Sequence, residues 1–539
     1  MTQPSRIPSP EALARIARGF DHLAAVIAAT LGPTQGAVLS QTGRGAPEVL
    51  IDSGTIARRV VQLPRRGEDA GAMLLRHLVF NQRERYGDGA ATAAVLARAM
   101  VQEARQRIAA GADAMLLRHG IERAVGVACQ ALCEQATSVS GQGMLTRLAI
   151  GVTGDQALGA MLGEMFDLLG ADAALQVDEF AAPYLDREYL EGGRWRGRPA
   201  ARTMLPQDGR NLVLDSPLLV VADQKIANVE HIQAALEQVA AMPDKPPLLV
   251  LAGEIGGEAL DMIVLNHNRG TLKLAAAVMT GGAGKAHDDL ADAALLAGAE
   301  LMGDLRGRPL HTIEPSFFGQ VRRAVIGREW ITLIGGAGDK AAIRSRIAEL
   351  RGYASRLNRN DPEWKQIRQR IARLSSGVGI LKVGAHTQRE REMTKELADK
   401  AVQVLEWSLA EGVVPGGGAA YLAVIPAVCA LQQQEANSDI AQGIAIVTKA
   451  LAAPFSQIVK NHGLIHPPLA LAEVQRRGPG YGFDTLRADY VDMRACGVLD
   501  SLRVVQGALE GAASAAAMVL TTDVMVFSPR RQGKAHVRP

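Results

Sequence analysis

The order of hydrophobic patterns is what most constrains this chain: helical periodicity at both ends encloses a centre of short apolar runs. Near the start, Leu13, Ile16, Phe20, Leu23 and Ile27 recur at alternating spacings of three and four, opened by Ser9-Pro10 and closed by Gly32-Pro33. That pattern predicts an amphipathic helix. Similar patterns run from Gly71 to Gln82 and from Thr92 to about Cys133 with a break near Gly111, and helical character returns from Lys395. Between them, Leu218 to Val221, Leu248 to Leu251 and Leu272 to Met279 read as buried strands separated by helices. The clearest unit runs from Pro247 to Met279, a strand leading through Gly256-Gly257 into a helix at Glu258 to Asn268 and then another strand. Two basic segments meeting at Asn360-Asp361-Pro362 predict a helical hairpin from about Ala342 to Leu374. Because 539 residues exceed what one core usually supports, the α/β centre reads as an insertion into a helical domain whose halves lie far apart in sequence. Gly192-Gly193 before the centre and Gly377 after it have the freedom at positive φ that hinges need, although ordinary loops would use the same residues.

Charge and cysteine content exclude several classes of function. Lys plus Arg number 59 against 56 for Asp plus Glu, so neither nucleic acid nor a membrane surface is signalled. The densest basic run, Arg530, Arg531, Lys534 and Arg538, reads as a solvated end. With no signal-like leader and no uncharged apolar stretch of spanning length, a soluble cytoplasmic protein is expected. Cys129, Cys133, Cys429 and Cys496 form no CxxC pair and read as small hydrophobes in a reducing compartment.

Three glycine-rich turns are candidate anion sites: Thr30-Leu31-Gly32-Pro33, Tyr86-Gly87-Asp88-Gly89 and Gly416-Gly417-Gly418. Backbone N–H groups at a helix start attract phosphate, and a carboxylate such as Asp88 beside them can hold Mg²⁺. Each turn alone is weak. The run Gly281-Gly282-Ala283-Gly284-Lys285 is not a phosphate loop, since Ala286 stands where Ser or Thr should bind the metal. His22, His77 and His267 lack the partners that would make them catalytic.

Taken in order, these segments resemble the GroEL-type (group I) chaperonins. The likeness is carried by Thr30 to Pro33, by Gly87-Asp88-Gly89-Ala90-Ala91-Thr92-Ala93-Ala94-Val95-Leu96, by Glu411 to Gly418 and by Gly497-Val498-Leu499-Asp500. It implies a multidomain α and α/β fold: a mainly helical equatorial nucleotide-binding domain from 1–134 and 411–539, a small intermediate hinge domain from 135–191 and 378–410, and an inserted α/β apical polypeptide-binding domain at 192–377. It further implies ATP and Mg²⁺ as cofactors. Thr30, Leu31, Gly32, Pro33 and the segment Gly87, Asp88, Gly89, Ala90, Ala91 and Thr92 would face the phosphates, and Asp88 would hold the metal. Asp52 would assist catalysis, while Gly416, Gly417, Asp484 and Asp500 would surround base and ribose. Unfolded polypeptides are the implied partners, in a homo-oligomeric ring, heptameric or doubly so, that leaves room for a lid co-chaperonin and for mixed assembly with another chaperonin.

Departures from the family pattern are specific. Ala90 and Ala91 replace two threonines, removing hydroxyls whose hydrogen bonds to a charged group are each worth roughly 1.5 to 3 kcal/mol. Ile51 replaces a lysine, and Asp484 an asparagine. Counting back from Gly412 without gaps, the position of the family's water-orienting aspartate falls on Lys400, with Asp399 one residue earlier. One residue turns a side chain by roughly 100° on an α-helix, so Asp399 would serve only after a one-residue slip. The resemblance points to hydrolysis-impaired action as holdase, adaptor or scaffold as the alternative to an ATP-driven folding machine. On the apical segment the matching positions hold Pro199, Thr203, Met204, Gln233 and Leu236, and a second helix carries Leu260, Ile263, Val264 and Leu265. Leu236, Leu260, Val264 and Leu265 are the expected polypeptide contacts, although core packing produces the same spacing.

Overall fold

The apolar stripes at the two ends of the chain meet in one core. The computed structural model describes residues 5–33, 36–41, 48–50, 52–59, 63, 65–170, 174–190, 192–206, 211–270, 272–280, 283–303, 307–357, 362–463 and 465–527. Ile51, Gly281-Gly282, Asn360-Asp361 and the basic run after Pro529 lie outside them. Two compact units result: Met1–Glu164 with Glu396–Pro539, and Met165–Lys395. The segments read as an intermediate domain are shared between them, and the boundaries fall inside the helices Gln156–Leu169 and Gln388–Glu411.

The first unit is helical. Glu11–Ala28 buries Leu13, Ile16, Phe20, Leu23 and Ile27, the stripe its periodicity defines. The helices Arg66–Tyr86, Ala90–Ala109, Ala114–Gln135, Ser438–Leu451 and Leu502–Leu520 add Leu75, Leu96, Met100, Ile121, Ile444 and Leu509 to the same core. Ser5–Pro8 pairs antiparallel with Val524–Phe527, so the described ends close on each other. Helices Glu11–Ala28 and Arg66–Tyr86 touch backbone to backbone: a Cβ on Gly71 would lie 1.9 Å from the Ile16 carbonyl oxygen. Gly71→Ala is therefore expected to destabilise the unit by about 1–3 kcal/mol or more through overpacking. Gly126→Ala, mid-helix with open space around it, should instead stabilise by up to about 1 kcal/mol. Melting of the two variants checks both signs.

In the second unit the continuous apolar runs become strands buried on both faces. Leu301–Met302, Leu218–Ile226, Leu248–Ile255 and Leu274–Met279 are parallel neighbours, and the sheet continues antiparallel through Gly192–Pro199, Trp330–Gly336, Gly319–Ile326 and Leu212–Asp215. Every residue of Leu274–Met279 is buried, because Glu230–Ala241 and Gly257–Arg269 cover one face and Ala283–Ala297 the other. The predicted hairpin forms as Lys340–Ala354 and Pro362–Ser376, fastened by Arg370, whose guanidinium donates to both oxygens of buried Asp292 at 2.8 Å. Gly377 takes positive φ at 73°. Gly192 and Gly193 do not; both lie inside a strand, where a Cβ on Gly192 would meet the Leu333 carbonyl oxygen at 2.5 Å. Close packing, and not hinge freedom, accounts for that pair.

Candidate functional site

All three glycine turns lie in the first unit, and side chains from distant parts of the chain hold them. The turn Gly87–Gly89 runs from the end of Arg66–Tyr86 into Ala90–Ala109, with Gly89 left-handed at the N-cap and no side chain capping the helix. Its exposed carboxylate is Asp88. Buried Gln82 staples the turn by donating to the carbonyls of Asp88 and Val504, each at 3.1 Å. Ala90 and Ala91 are buried, and Thr92 is half-buried.

Thr30 to Pro33 end the first helix. The Thr30 hydroxyl donates inward to the Ile27 carbonyl at 2.7 Å, and Thr30 and Leu31 are buried. Asn461 ties it down from the helix Ala453–His462, donating to the carbonyls of Ala28 and Leu31 at 2.8 Å each, while Ile458 packs on Gly32. The same helix meets the third turn, where a Cβ on Gly418 would come within 2.8 Å of the Phe455 nitrogen. One helix thus joins two turns that are nearly four hundred residues apart in the sequence.

Gly416–Gly418 connect the strand Val413–Pro415 to the helix Ala419–Gln434. That strand pairs with Leu499–Ser501, with Val414 opposite Asp500. The Gly417 N–H lies near the Asp500 carboxylate, and Asp88 is close enough for its charge to act on it. Burial first and Asp88 second push the Asp500 carboxyl up to about 7, against the lowering effect of that N–H. Asp484 ends the strand Tyr481–Asp484, where its Oδ1 accepts from the N–H groups of Leu486 at 2.9 Å and Arg487 at 3.3 Å. Met493 packs on both Gly482 of that strand and Gly417. The structure therefore brings Thr30–Pro33, Gly87–Thr92, Gly416–Gly418, Asp484 and Asp500 into one neighbourhood.

Asp52 stands at the start of Ser53–Arg59, its Oδ2 accepting from the Thr55 N–H at 2.8 Å and hydroxyl at 2.9 Å. Arg83 reaches the same oxygen at 3.1 Å, and the Lys400 ammonium pairs with Oδ1. Burial would raise this carboxyl, but Lys400 and Arg83 together hold it down at about 2. Lys400 thus faces Asp52 from its helix. Asp399, its neighbour, is exposed and does not share the pairing with Asp52. Its register is fixed because Gln403 and Trp407 on the same face donate to the Arg85 carbonyl at 2.8 and 3.3 Å.

In the second unit, the helix Gly257–Arg269 leaves Leu260 and Val264 half-buried and Leu265 47% exposed, while Ile263 is buried. Leu236 is only 5% exposed and packs with Ile232, Ala235 and Val239 against the sheet. It is a core residue, which corrects its reading as a polypeptide contact. The exposed face of its helix is polar, with Gln233 donating to Glu237 at 2.6 Å.

A profile of the TCP-1/cpn60 chaperonin family matches residues 23–172 and 221–530. The chain belongs to that family. As a chaperonin it stands among the protein-folding chaperones, and the chaperonin architecture is matched by solved structures as well. The chaperonin gp146 from the bacteriophage EL 2 (Pseudomonas aeruginosa), crystallised in the presence of ATP-BeFx, superposes in one crystal form with a TM-score of 0.73 at 17% identity, covering 98% of this chain and 100% of that one. A second crystal form gives 0.65 at 16% identity, covering 97% and 99%. At such identities the likeness is one of fold. Among the described residues of this chaperonin no helix is long and apolar enough to cross a membrane.

Three supports of this chaperonin's site escaped the sequence reading. Gln82 and Arg83 precede the second turn by one helical turn, a position that could have marked them; Asn461 carries no local signal at all. The raised carboxyl of Asp500 yields a sign that can be checked. Its folded value lies above the ordinary 3.8, so its contribution to stability is present at low pH and is lost as pH rises through about 7. In nucleotide- and metal-free protein, the melting temperature of the wild type relative to Asp500→Asn should increase between pH 8 and pH 6. A difference that is flat across that window would contradict the assignment.

Proposed function

We propose that this chaperonin binds Mg-ATP in the cleft of its helical unit, turns it over slowly, and uses it to control capture and release of non-native polypeptides within an oligomeric ring. The observation that carries the reading is the meeting of Asp88, Gly417 and Asp500, from three distant segments, beside an uncapped helix start. Uncapped N–H groups there suit phosphate oxygens, and the glycines of the third turn let backbone approach a flat base. Asp88 also fits Mg²⁺, which takes one or two carboxylates with phosphate oxygens completing its shell. When bound, the ion neutralises phosphate charge. The crystallisation of the related phage chaperonin with ATP-BeFx supports the same ligand class.

Thr30–Pro33 and Gly87–Thr92 are assigned to the phosphates, and Gly416, Gly417, Asp484 and Asp500 to base and ribose. Leu260, Val264 and Leu265 are assigned to extended apolar segments of a client, with a lid co-chaperonin as a competitor for that surface. Slow turnover follows from Lys400, since an ammonium cannot accept a proton from water. That same residue favours the second reading, a hydrolysis-impaired holdase, adaptor or scaffold. The test is dilution of a chemically denatured client into the protein, read by light scattering. Suppressed aggregation that Mg-ATP relieves, weakened by Leu265→Asp, is expected; suppression indifferent to ATP selects the holdase, and no suppression contradicts both. Sedimentation in the same buffers reads the ring.

A further inference from the structure

Lys400 has a position that neither slow turnover nor the nucleotide reading explains. Its carbonyl lies against Gly87, where an added Cβ would meet it at 3.1 Å, and its ammonium crosses to Asp52. The backbone of the helix is held there by Gln403 and Trp407, at one and two turns beyond Lys400 on the same face. A long flexible side chain is therefore anchored at its root beside the second glycine turn, with its charged end parked on a carboxylate.

That carboxylate does not depend on Lys400 alone. Asp52 keeps both Thr55 donors and the Arg83 guanidinium if the ammonium leaves. Arg83 is less free to move, because it also pairs with Glu396, which Arg58 approaches at 3.6 Å. Of the two cations on Asp52, the lysine is the one built to change partners: a compact point charge on a four-carbon stem, against a planar fork already engaged by two carboxylates.

We propose that Lys400 is a phosphate-sensing residue, released from Asp52 by the terminal phosphate of a nucleoside triphosphate, so that the protein holds triphosphate in preference to diphosphate. This rests on the nucleotide reading of the cleft. A terminal phosphate carries up to about twice the charge of a carboxylate, of which Mg²⁺ offsets a part, and it presents three acceptor oxygens to an ammonium. A diphosphate ends one group short and leaves the lysine on Asp52. In the same exchange Asp52 loses the partner that contributes most to holding its carboxyl at about 2 and becomes a better proton acceptor.

The experiment is calorimetry of the full chain with Mg²⁺ and either ADP or a non-hydrolysable ATP analogue. Lys400→Met should weaken the triphosphate by about tenfold or more, the size of one lost charged hydrogen bond, while ADP changes by less than about twofold. Lys400→Arg should keep most of the preference. The variant Asp52→Asn with Lys400→Met leaves no bare carboxylate, so it tests a stable fold, and it should stay as weak for triphosphate as Lys400→Met. An unchanged ratio in Lys400→Met overturns the proposal. So does a wild-type ratio in the double variant, which would mean that the lysine merely neutralises Asp52. Loss of the nucleotide reading looks different: neither ligand then binds the wild type, or both bind equally well to Asp88→Ala, and the proposal falls with it.

Discussion

Asp88→Ala is expected to abolish Mg-dependent nucleotide binding, a loss of at least about a hundredfold, from removal of a charged metal ligand and its contact with phosphate. The substitution is a clean one. Asp88 is exposed, and its turn is held through its backbone carbonyl by Gln82, a contact that alanine keeps. A second readout separates chemistry from misfolding. Asp88 contributes to the raised carboxyl of Asp500, so removing its charge should move the Asp500 titration down from about 7. Calorimetry with Mg-ATP, repeated in chelator, reads the first effect, and the pH dependence of melting reads the second. Unchanged affinity would remove Asp88 from the site.

Lys400→Asp is expected to raise the rate of phosphate release at saturating ATP, by about ten- to a hundredfold, part of the 10²- to 10⁴-fold that general-base assistance commonly provides. Lys400 reaches Asp52 from its helix, so a carboxylate placed there lies on the helix face turned to that residue. Arg83 remains on Asp52 and can separate the two negative charges. KM should rise in the same variant, because the ammonium that senses the terminal phosphate is gone. Single-turnover phosphate release separates the two effects. No gain in rate at saturation would mean that the block on turnover lies elsewhere, with the missing hydroxyls at Ala90 and Ala91 as the first suspects.

The architecture was legible where burial writes a period into the sequence. Leu13, Ile16, Phe20, Leu23 and Ile27 are buried as their spacing requires, and the unbroken apolar runs at Leu248 and Leu274 became strands covered on both faces. Gly192–Pro199 was not read as a strand, because its three arginines and three glycines hide the alternation that places Trp195 in the core. Leu236 was misread for a related reason. Ile232, Ala235, Leu236 and Val239 form one buried stripe, and taking Leu236 alone lost that pattern.

The site was legible only in part. Its glycine turns are visible as turns, but nothing local says that they converge; the resemblance to chaperonins supplied that. What joins them is long-range: Asn461 on Leu31, Gln82 on Val504, Lys400 on Asp52. Such pairs leave no periodic trace. The displacement of Asp399 by Lys400 was visible as a count along the chain, and its outcome depended on the helix register that Gln403 and Trp407 fix.

A structure of the full chain with Mg²⁺ and a non-hydrolysable ATP analogue decides whether these turns form one nucleotide cleft. The phosphates should lie against Thr30–Pro33 and Gly87–Thr92, with the ribose at Gly417 and Asp500 and the Lys400 ammonium moved from Asp52 to the terminal phosphate. A nucleotide bound away from Asp88 and Gly417, or none at saturating concentration, would contradict it.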